Sequence, residues 1–443
     1  MPERVLIISL VMVFSLTVSA QKEIDFAGAD RKSYELYEQQ KWEELIDFAS
    51  GVRKQGMDFF YLKVRTAVAC YNLKKYRRAA EWFLEEWENG KSLDWYQEYL
   101  YYSLLFSGRY TEAVKYSQEF SDQMKKKIGY AEKKMTRLAF EGGYCFNPEF
   151  SSQTSTSLKE AANTGDNYGE AFYLKNYHFE SFDLSHQIIP GVSLNHNFTH
   201  IGVSREEQVD WGTLNVNPIH INQFQYYLNP HFLLGKKLYF SPSLNVIWGK
   251  SDLWSGGLSS ASERYFYSSP LRYSDVIFSA SAWMHFRNFS PGAEFNSANI
   301  SDEKFSQFSA WLSFYPLSNT HFYLTPRVYF KNDPENGFNF NTFGFSGGLQ
   351  VRRMHFYAQF LKGEMKNFIE PAGYVVANFP GRSTRKYMGS IYFPTGKPFQ
   401  VVLRYLNQDI IEKYRVYANG TESNTFEYKY IKHTITGGVS WIF

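Results

Sequence analysis

The chain has 443 residues, which is enough for about two or three domains. Its formal net charge of +3 is too small to indicate the basic stripe of a nucleic-acid-binding protein, so we expect no nucleic-acid partner. Two cysteines, Cys70 and Cys145, argue against a disulfide framework, and an aromatic content of 19% is typical of a membrane β-barrel with rings at both interfaces.

The first twenty residues have the pattern of a secretory signal peptide. Arg4 precedes an uncharged apolar run that ends at Thr17, and Ala20 completes a cleavage site of small residues. The run is shorter than the stretch of about 20 residues that a spanning helix needs. We therefore predict that residues 1–20 are removed on export.

Residues 24–136 are charged, proline-free and apolar at helical spacing, which predicts helices. Aromatic residues recur there every 34 residues, and smaller residues follow three positions later at the same interval; the set is Trp42, Tyr76 and Tyr110, then Leu45, Ala79 and Ala113. An aromatic ring at the start of a second helix packs between helices, and a small residue one turn later lets them approach. This pattern resembles the tetratricopeptide repeat, whose period is 34.

The resemblance implies an all-α solenoid with a concave groove that binds a protein client. Three repeats are close to the minimum for such an array. The alternative, that the array only spaces or caps the following domain, stays open. The pattern identifies packing positions and leaves the ligand positions of the groove unassigned.

From residue 137 the apolar period changes from helical to alternating, which predicts about 14 antiparallel strands over residues 137–443. A strand in hydrocarbon must pair on both sides, so the strands close into an all-β transmembrane barrel. Counts of 12 or 16 stay open, because residues 373–378 could add a strand and strands two and three could be misread. Five long loops are expected after odd-numbered strands, over residues 147–169, 203–217, 249–273, 365–385 and 412–428.

Outer-membrane barrels combine short periplasmic turns with long outer loops, so the predicted alternation of connections places the repeat domain on the periplasmic side. An even strand number brings Phe443 to the same side. The last strand alternates Ile435, Val439 and Trp441 toward lipid with inward polar residues. We predict that Val439, Trp441 and Phe443 form the assembly signal that the barrel insertion machinery reads.

Alternation also projects charged side chains into the lumen; the candidates are Glu141, Arg287, Arg327, Lys331, Arg404 and Lys432. A basic lumen would favour anionic cargo. The alternative is that these charges pair with each other and with loops, as in any water-facing barrel interior.

No catalytic, cofactor or metal site is predicted. His196 and His200 are four residues apart on a strand, about 13 Å at roughly 3.3 Å per residue, which is too far for one zinc ion. A Ser/His hydrolase is the sharper alternative, with His196 and Ser193 or His285 and Ser279, but neither pair has a local signature and a triad is defined by geometry. We expect a protein that is not an enzyme.

The order of parts is similar to that of surface lipoprotein assembly modulators, and to exopolysaccharide exporters with repeats before a barrel. The resemblance implies a secretion or surface-assembly factor of a Gram-negative outer membrane, whose repeats bind a client and whose barrel provides a path or template. Its other partners would be outer-membrane lipid and the insertion machinery. An exopolysaccharide export porin and a non-conducting envelope scaffold remain as alternatives.

Overall fold

The computed structural model describes residues 25–129, 135–161, 168–261, 263–333, 337–418 and 421–443. The predicted signal peptide lies outside these residues. None of the helices in the described ranges has the length and apolar character that crossing a membrane requires.

The N-terminal part of the structure is a helical region, residues 26–127, built from three helix pairs. The pairs are α1 (Phe26–Glu38) with α2 (Trp42–Lys54), α3 (Phe60–Asn72) with α4 (Tyr76–Glu85), and α6 (Asp94–Phe106) with α7 (Tyr110–Ser117); α5 (Trp87–Gly90) and α8 (Asp122–Lys127) are short. The first helices begin at residues 26, 60 and 94 and the second at 42, 76 and 110, so both series keep the interval of 34. Membership of the tetratricopeptide family stays a prediction.

The recurring small residues lie where the helices of each pair meet. Leu45, Ala79 and Ala113 are all 0% exposed. The ring of Tyr76 meets those of Tyr71 and Phe106 at centroid distances of 5.4 and 5.0 Å. Because a ring and a small residue alternate at these contacts, neighbouring pairs can stack at a constant spacing.

The rest of the chain forms a closed barrel of 14 antiparallel strands. These are β1 (Met135–Phe146), β2 (Tyr168–Ile189), β3 (Val192–Asp210), β4 (Leu214–Leu234), β5 (Leu238–Leu258), β6 (Arg264–Met284), β7 (Phe289–Ile300), β8 (Glu303–Phe314), β9 (Phe322–Asp333), β10 (Gly337–Val351), β11 (Met354–Met365), β14 (Arg382–Phe393), β15 (Phe399–Ala418) and β16 (Thr421–Ile442). Strand β16 closes the ring on β1, from Arg137 opposite Ile442 to Phe146 opposite His433. The predicted count of 14 is confirmed.

Two further short strands, β12 (Phe368–Ile369) and β13 (Val376–Ala377), pair only with each other. The idea that residues 373–378 add a strand to the barrel is therefore wrong. A helix, α9 (Phe150–Ala161), lies between β1 and β2, inside the segment that the sequence predicted as a loop.

Three of the predicted long loops are mostly strand. Strands β3 and β4 are joined by residues 211–213, and β5, β6, β15 and β16 likewise continue far past the expected ends. Outside a membrane both faces of a strand meet water, so the alternation that marks a spanning strand fades there. The sequence analysis therefore made these strands too short, with β3, β5 and β15 ending too early and β4, β6 and β16 beginning too late.

The outer face of the barrel carries an exposed apolar belt, as expected for contact with lipid. On β16 the side chains of Ile435, Val439 and Trp441 are 57%, 41% and 46% exposed, whereas Lys432 and Thr434 face inward at 7% and 3%. We call the barrel end that contacts the helical region the near end, and the opposite end the far end.

Candidate functional site

The lumen of the barrel is crossed by residues 366–381, which we call the crossing segment. It leaves β11, runs inward through β12, turns at the short helix Pro371–Gly373, and returns through β13 to β14. Its turn contacts β5, β6 and β7 on the opposite wall. The segment therefore spans the lumen from one wall to the other.

Side chains of the wall bind the backbone at the turn of the crossing segment. The carbonyl of Ala372 accepts hydrogen bonds from Ser243 Oγ (2.6 Å) and Tyr227 Oη (2.9 Å), and its N–H donates to Glu294 Oε2 (2.8 Å). Asn245 Nδ2 donates to the Gly373 carbonyl (2.9 Å). Buried backbone groups need such partners, so β4, β5 and β7 supply a specific seat.

The two arms of the crossing segment are held in the same way. Gln307 exchanges two hydrogen bonds with the backbone of Ile369, at 2.6 and 3.3 Å. Asn378 donates to Gln223 at 2.9 Å, and Phe368 packs edge-on against Tyr329 with centroids 4.9 Å apart. Most contacts between the wall and the crossing segment are hydrogen bonds, and water molecules can replace the partners in such bonds.

Gly373 is required at the turn. Its φ is +70°, a conformation that L side chains rarely adopt, and a Cβ there would lie 3.2 Å from Ser243 Oγ and closer still to Ser279 Oγ. The turn thus sits against the wall at the distance that only a glycine allows.

A second cluster fills the far part of the lumen on the other side. Arg205 and Glu412 form an ion pair with side chains 6% and 3% exposed, and Tyr428 and Tyr430 donate hydrogen bonds to Glu412 at 2.7 and 2.9 Å. Helix α9 lies beside this cluster, packed on β2 through Phe150. This cluster lies against β2, β3, β15 and β16, whereas the turn of the crossing segment lies against β4 to β7.

The barrel wall behind the crossing segment is built from short strands, and we call it the low wall. Strands β2, β4, β5, β6, β15 and β16 have 20 to 22 residues, but β7 and β8 have 12. A cleft of about 830 Å³ opens on this low wall. Ile369 of the crossing segment packs directly behind it, on Ala298 and Phe305.

Five of the six predicted lumen charges lie on the inner face, and they have partners. Arg404 pairs with Glu141 at 2.9 Å, and Arg327 lies 3.9 Å from Glu294. Lys331 Nζ donates to the carbonyl of Lys366 at 3.1 Å, and Lys432 Nζ lies 4.4 Å from the ring centroid of Phe379. Pairing of this kind agrees with the alternative that the sequence left open, so the argument for anionic cargo is weak.

Arg287 was placed wrongly in the lumen. Strand β6 ends at Met284, so Arg287 belongs to the turn that follows, and its side chain is 46% exposed. It lies 3.6 Å from Glu85 and over the ring of Trp82, both in α4. The prediction had continued the alternating pattern of β6 three residues beyond Met284, its last paired residue.

The helical region is docked on the near-end turns, a contact surface that we call the junction. Arg77 is 1% exposed and donates to the carbonyls of Phe286 (2.9 Å) and Arg287 (3.2 Å) and to Ser290 Oγ (2.8 Å). Its guanidinium lies 3.8 Å from the ring centroid of Tyr315. Burial lowers the pKa of Arg77 to about 10, so the side chain remains charged at neutral pH.

A buried ion network forms the centre of the junction. Arg109 binds Glu112 and Glu81, Glu112 also accepts from Tyr239 Oη (2.8 Å), and Glu81 also pairs with Lys237 (2.7 Å). Burial alone would lower the pKa of Arg109, but Glu112 and Glu81 outweigh it and hold that pKa above its ordinary value. Because Tyr239 and Lys237 belong to the barrel, the network joins the two parts.

The opposite face of the helical region is left exposed and aromatic. Tyr34 on α1, Tyr61 on α3 and Trp95 on α6 are 51%, 58% and 42% exposed. The guanidinium of Arg65 lies 5.3 and 5.4 Å from the ring centroids of Tyr34 and Tyr61. We call this surface the aromatic face; it is formed by the first helices, whereas α4 and α7 supply most of the junction.

The histidines considered from the sequence do not form hydrolase pairs. His196 Nδ1 lies 2.8 Å from Tyr226 Oη, and His285 Nδ1 lies 2.8 Å from Ser290 Oγ rather than near Ser279. His200 pairs with Glu180 on β2. His196 and His200 thus belong to different clusters.

Sequence reasoning missed the crossing segment and the residues that seat it. The signal was composition, because Phe368, Ile369, Val375 and Val376 make residues 366–381 more apolar than an exposed loop needs. Glu294 and Asn245 lie on inward positions of β7 and β5, where a polar residue is expected in any case. Their special role appears only when the segment opposite them is known.

No model of a known protein family and no curated protein matches this chain. Several solved structures overlap with most of this chain at low identity and low TM-score. The toluene transporter TodX of Pseudomonas putida is 8% identical, with 71% of this chain and 91% of that chain covered at a TM-score of 0.43. A Pseudomonas aeruginosa FadL homologue is 7% identical, with 71% and 92% covered at 0.42.

A bacterial polysaccharide outer membrane secretin is 9% identical, with 70% of this chain and 99% of that chain covered at a TM-score of 0.33. Overlaps of this size and identity do not assign the cargo of this chain.

Proposed function

We propose that this protein is a translocation factor of a Gram-negative outer membrane, in which the helical region binds a protein client and the barrel provides a path that the crossing segment closes. The observation that carries the proposal is the crossing segment, a single strap seated by hydrogen bonds from Ser243, Asn245 and Glu294 across an otherwise polar lumen. A barrel that served only as an anchor would need no such strap.

The closed state follows from two separate obstructions. The Arg205 and Glu412 cluster with α9 fills the side of β2, β3, β15 and β16, and the crossing segment fills the side of the low wall. Movement of the crossing segment alone would open the lumen behind β7 and β8. Its hydrogen bonds to wall side chains would then be replaced by water, at a modest net cost of about 0.5–1.5 kcal/mol each.

Chain order supports a periplasmic helical region. The segment 1–20 is a predicted export signal, the helices follow it, and both ends of the barrel chain, Met135 and Phe443, lie at the near end. At the near end β2 and β3 are joined by residues 190–191, whereas at the far end β2 to β6, β15 and β16 continue as long hairpins, an asymmetry that matches short periplasmic turns and long outer extensions. The helices would then meet a client before it reaches the lumen.

The aromatic face supports client binding by the helical region. Exposed Tyr and Trp side chains are enriched in protein contacts because they bury a large area with few rotatable bonds. Tyr61 and Trp95 are 34 residues apart and take equivalent positions on α3 and α6. An extended client segment would therefore meet rings at a regular spacing.

A reversible disulfide between the crossing segment and the wall tests the role of the segment. A Cβ at residue 373 would lie 3.3 Å from Ser279 Cβ, close to the spacing of about 3.5–4.5 Å in a disulfide. In cells carrying Gly373→Cys with Ser279→Cys, oxidation should stop surface exposure of the client and reductant should restore it. The single variant Gly373→Cys, in which the new side chain loosens the turn but cannot form the disulfide, controls for oxidation, and a surface proteome of the double variant that oxidation does not change would refute gating.

Deletion of residues 24–136 tests the role of the helices. The barrel should still insert, while one or more surface proteins fail to appear in surface labelling of whole cells. If the surface proteins and glycans of these cells match those of the wild type, the secretion role is lost.

Export of a polysaccharide is the second candidate, because the near-end rim of the lumen carries a row of rings. Tyr315, Tyr323, His355 and Tyr392 follow each other with centroids 5.9, 6.1 and 5.9 Å apart, along this rim from the β8–β9 turn across β9, β11 and β14. Aromatic rings with a polar tip suit sugar rings, which present C–H faces and hydroxyl groups. Loss of a surface glycan with unchanged surface proteins, in Tyr323→Ala with Tyr392→Ala, would favour this candidate.

A further inference from the structure

Two histidines and a glutamate meet on the outer face of β2 and β3. Glu180 lies directly opposite His200 in the strand register, and His178 lies opposite Gly202, one position along the same face. Sequence reasoning considered histidines on one strand only, and this cluster forms across two. One ligand atom from each of the three side chains lies within 4.8 Å of the other two.

The cluster lies at the edge of the apolar belt that is closer to the far end. One step toward the near end, the outward side chains Phe182 and Phe198 are each 45% exposed, as lipid-facing residues are. Tyr144 of β1 lies opposite His178, and the ring of Phe224 on β4 lies 4.9 Å from that of His200. Such rings mark a membrane interface, so the cluster is reached from the aqueous side of the far end.

The orientation of His200 suits a metal ligand. Its Nδ1 lies 3.0 Å from Glu180 Oε2, and its Nε2 lies 3.5 Å from Asn222 Oδ1 on β4. If Nε2 carries the proton and donates to Asn222, the free electron pair of Nδ1 points at the space shared with Glu180. Metal-binding histidines commonly have their second nitrogen fixed in this way.

Gly202 makes room for His178. A Cβ at this glycine would lie 2.7 Å from His178 Nε2 and nearer still to Cε1, so the imidazole rests over the bare backbone of β3. The ring centroids of His178 and His200 are 6.0 Å apart. Any larger residue at 202 would push the His178 ring away from the other two donors.

We propose that His178, Glu180 and His200 bind a divalent transition-metal ion, with Zn²⁺ as the representative. Two imidazoles and one carboxylate are donors that Zn²⁺ accepts, with bonds of about 2.0–2.2 Å and a remaining position for water. Donors on one tetrahedral ion are about 3.3 Å apart, so the three side chains need only rotamer adjustments to close on it. This site is independent of the proposed translocation function.

The test uses the full chain in detergent, without a polyhistidine tag, and titrates it with ZnCl₂ in a calorimeter after treatment with a chelator. The wild type should bind one ion per chain. His178→Ala, Glu180→Gln and His200→Ala should each weaken binding at least tenfold, and so should Gly202→Val, which keeps the three ligand residues but displaces the His178 ring. Asn222→Ala, which alters only the outer partner, should weaken it about 10-fold to 100-fold.

A second imidazole pair on the same strands gives the matched control. His186 and His196 stack with centroids 5.2 Å apart, but the described residues place no carboxylate with them in such a cluster. The double variant His186→Ala with His196→Ala should bind zinc as the wild type does. Loss of binding in that control, or a wild type that binds no zinc in a one-to-one ratio, would overturn the assignment.

Discussion

Replacement of Arg109 by Met should loosen the junction strongly, because it removes the cation at its centre. The Arg109 side chain is 1% exposed, and its Nε and Nη1 each donate at 2.8 Å, to Glu112 and Glu81 respectively. Methionine keeps most of the length and the apolar stem. After the change, two buried carboxylates remain, with Lys237 paired to Glu81 and the charge of Arg77 nearby.

The size of the effect follows from this burial. Removing one partner of a buried ion pair costs about 3–5 kcal/mol, because the remaining charge is left without compensation. At about 1.36 kcal/mol for each factor of ten, opening of the junction becomes roughly 150-fold to 5,000-fold more frequent. Tyr239→Phe should have a smaller effect of about 1.5–3 kcal/mol, since Glu112 then loses one hydrogen bond and keeps Arg109.

Hydrogen exchange of the native protein in detergent measures this opening, read at the amides of Arg77 and Arg78, which donate to Ser318 across the junction. The control is Lys91→Met, because Lys91 forms an exposed ion pair with Glu88 in the same helical region and should leave the exchange rates unchanged. Exchange in Arg109→Met that is no faster than in the control would show that the network does not hold the junction.

Three further predictions concern the gate, the junction and assembly. Glu294→Gln weakens the acceptor for the Ala372 N–H, so single-channel openings should become more frequent; unchanged gating would contradict the seat described for the turn. Burial, with Arg77 and Arg109 nearby, lowers the pKa of His285 to about 2, so the undocked form binds a proton more readily than the docked form. Docking of the helical region should therefore weaken as the pH falls below about 6.5. The variant His285→Gln should not show this pH dependence. Deletion of Phe443, whose N–H donates to the Thr136 carbonyl at 3.1 Å, should reduce heat-modifiable folded barrel, and normal levels would contradict an assembly role.

Sequence patterns were sufficient to predict the architecture, because the 34-residue interval of the helices and the two-residue alternation of the strands are both visible in short stretches of sequence. The interval of 34 between Trp42, Tyr76 and Tyr110 located the second helices to the residue. Strict alternation over Ile435, Val439 and Trp441 separated the outer face of β16 from its inner face. In each case the pattern reflects one repeated packing contact.

The interior could not be predicted in the same way. The crossing segment contacts wall residues up to 155 positions away in the chain, as with Asn378 and Gln223, and no local period records such a contact. The ion network of the junction includes a similarly remote contact, since Glu112 meets Tyr239 across 127 residues. Arg287 shows the opposite error, in which a real alternation was extended into a turn that the helical region covers.

Single-channel recording in planar bilayers tests the gate most directly. The variant has residues 368–379 replaced by a short Gly-Ser linker, and the comparison is the wild-type chain with the same helical region. If the crossing segment closes the path, the wild type should be quiet and the variant should show long-lived, larger conductance through the space behind β7 and β8. A variant that inserts as a folded barrel and conducts no more than the wild type would contradict the proposal that the crossing segment closes the path.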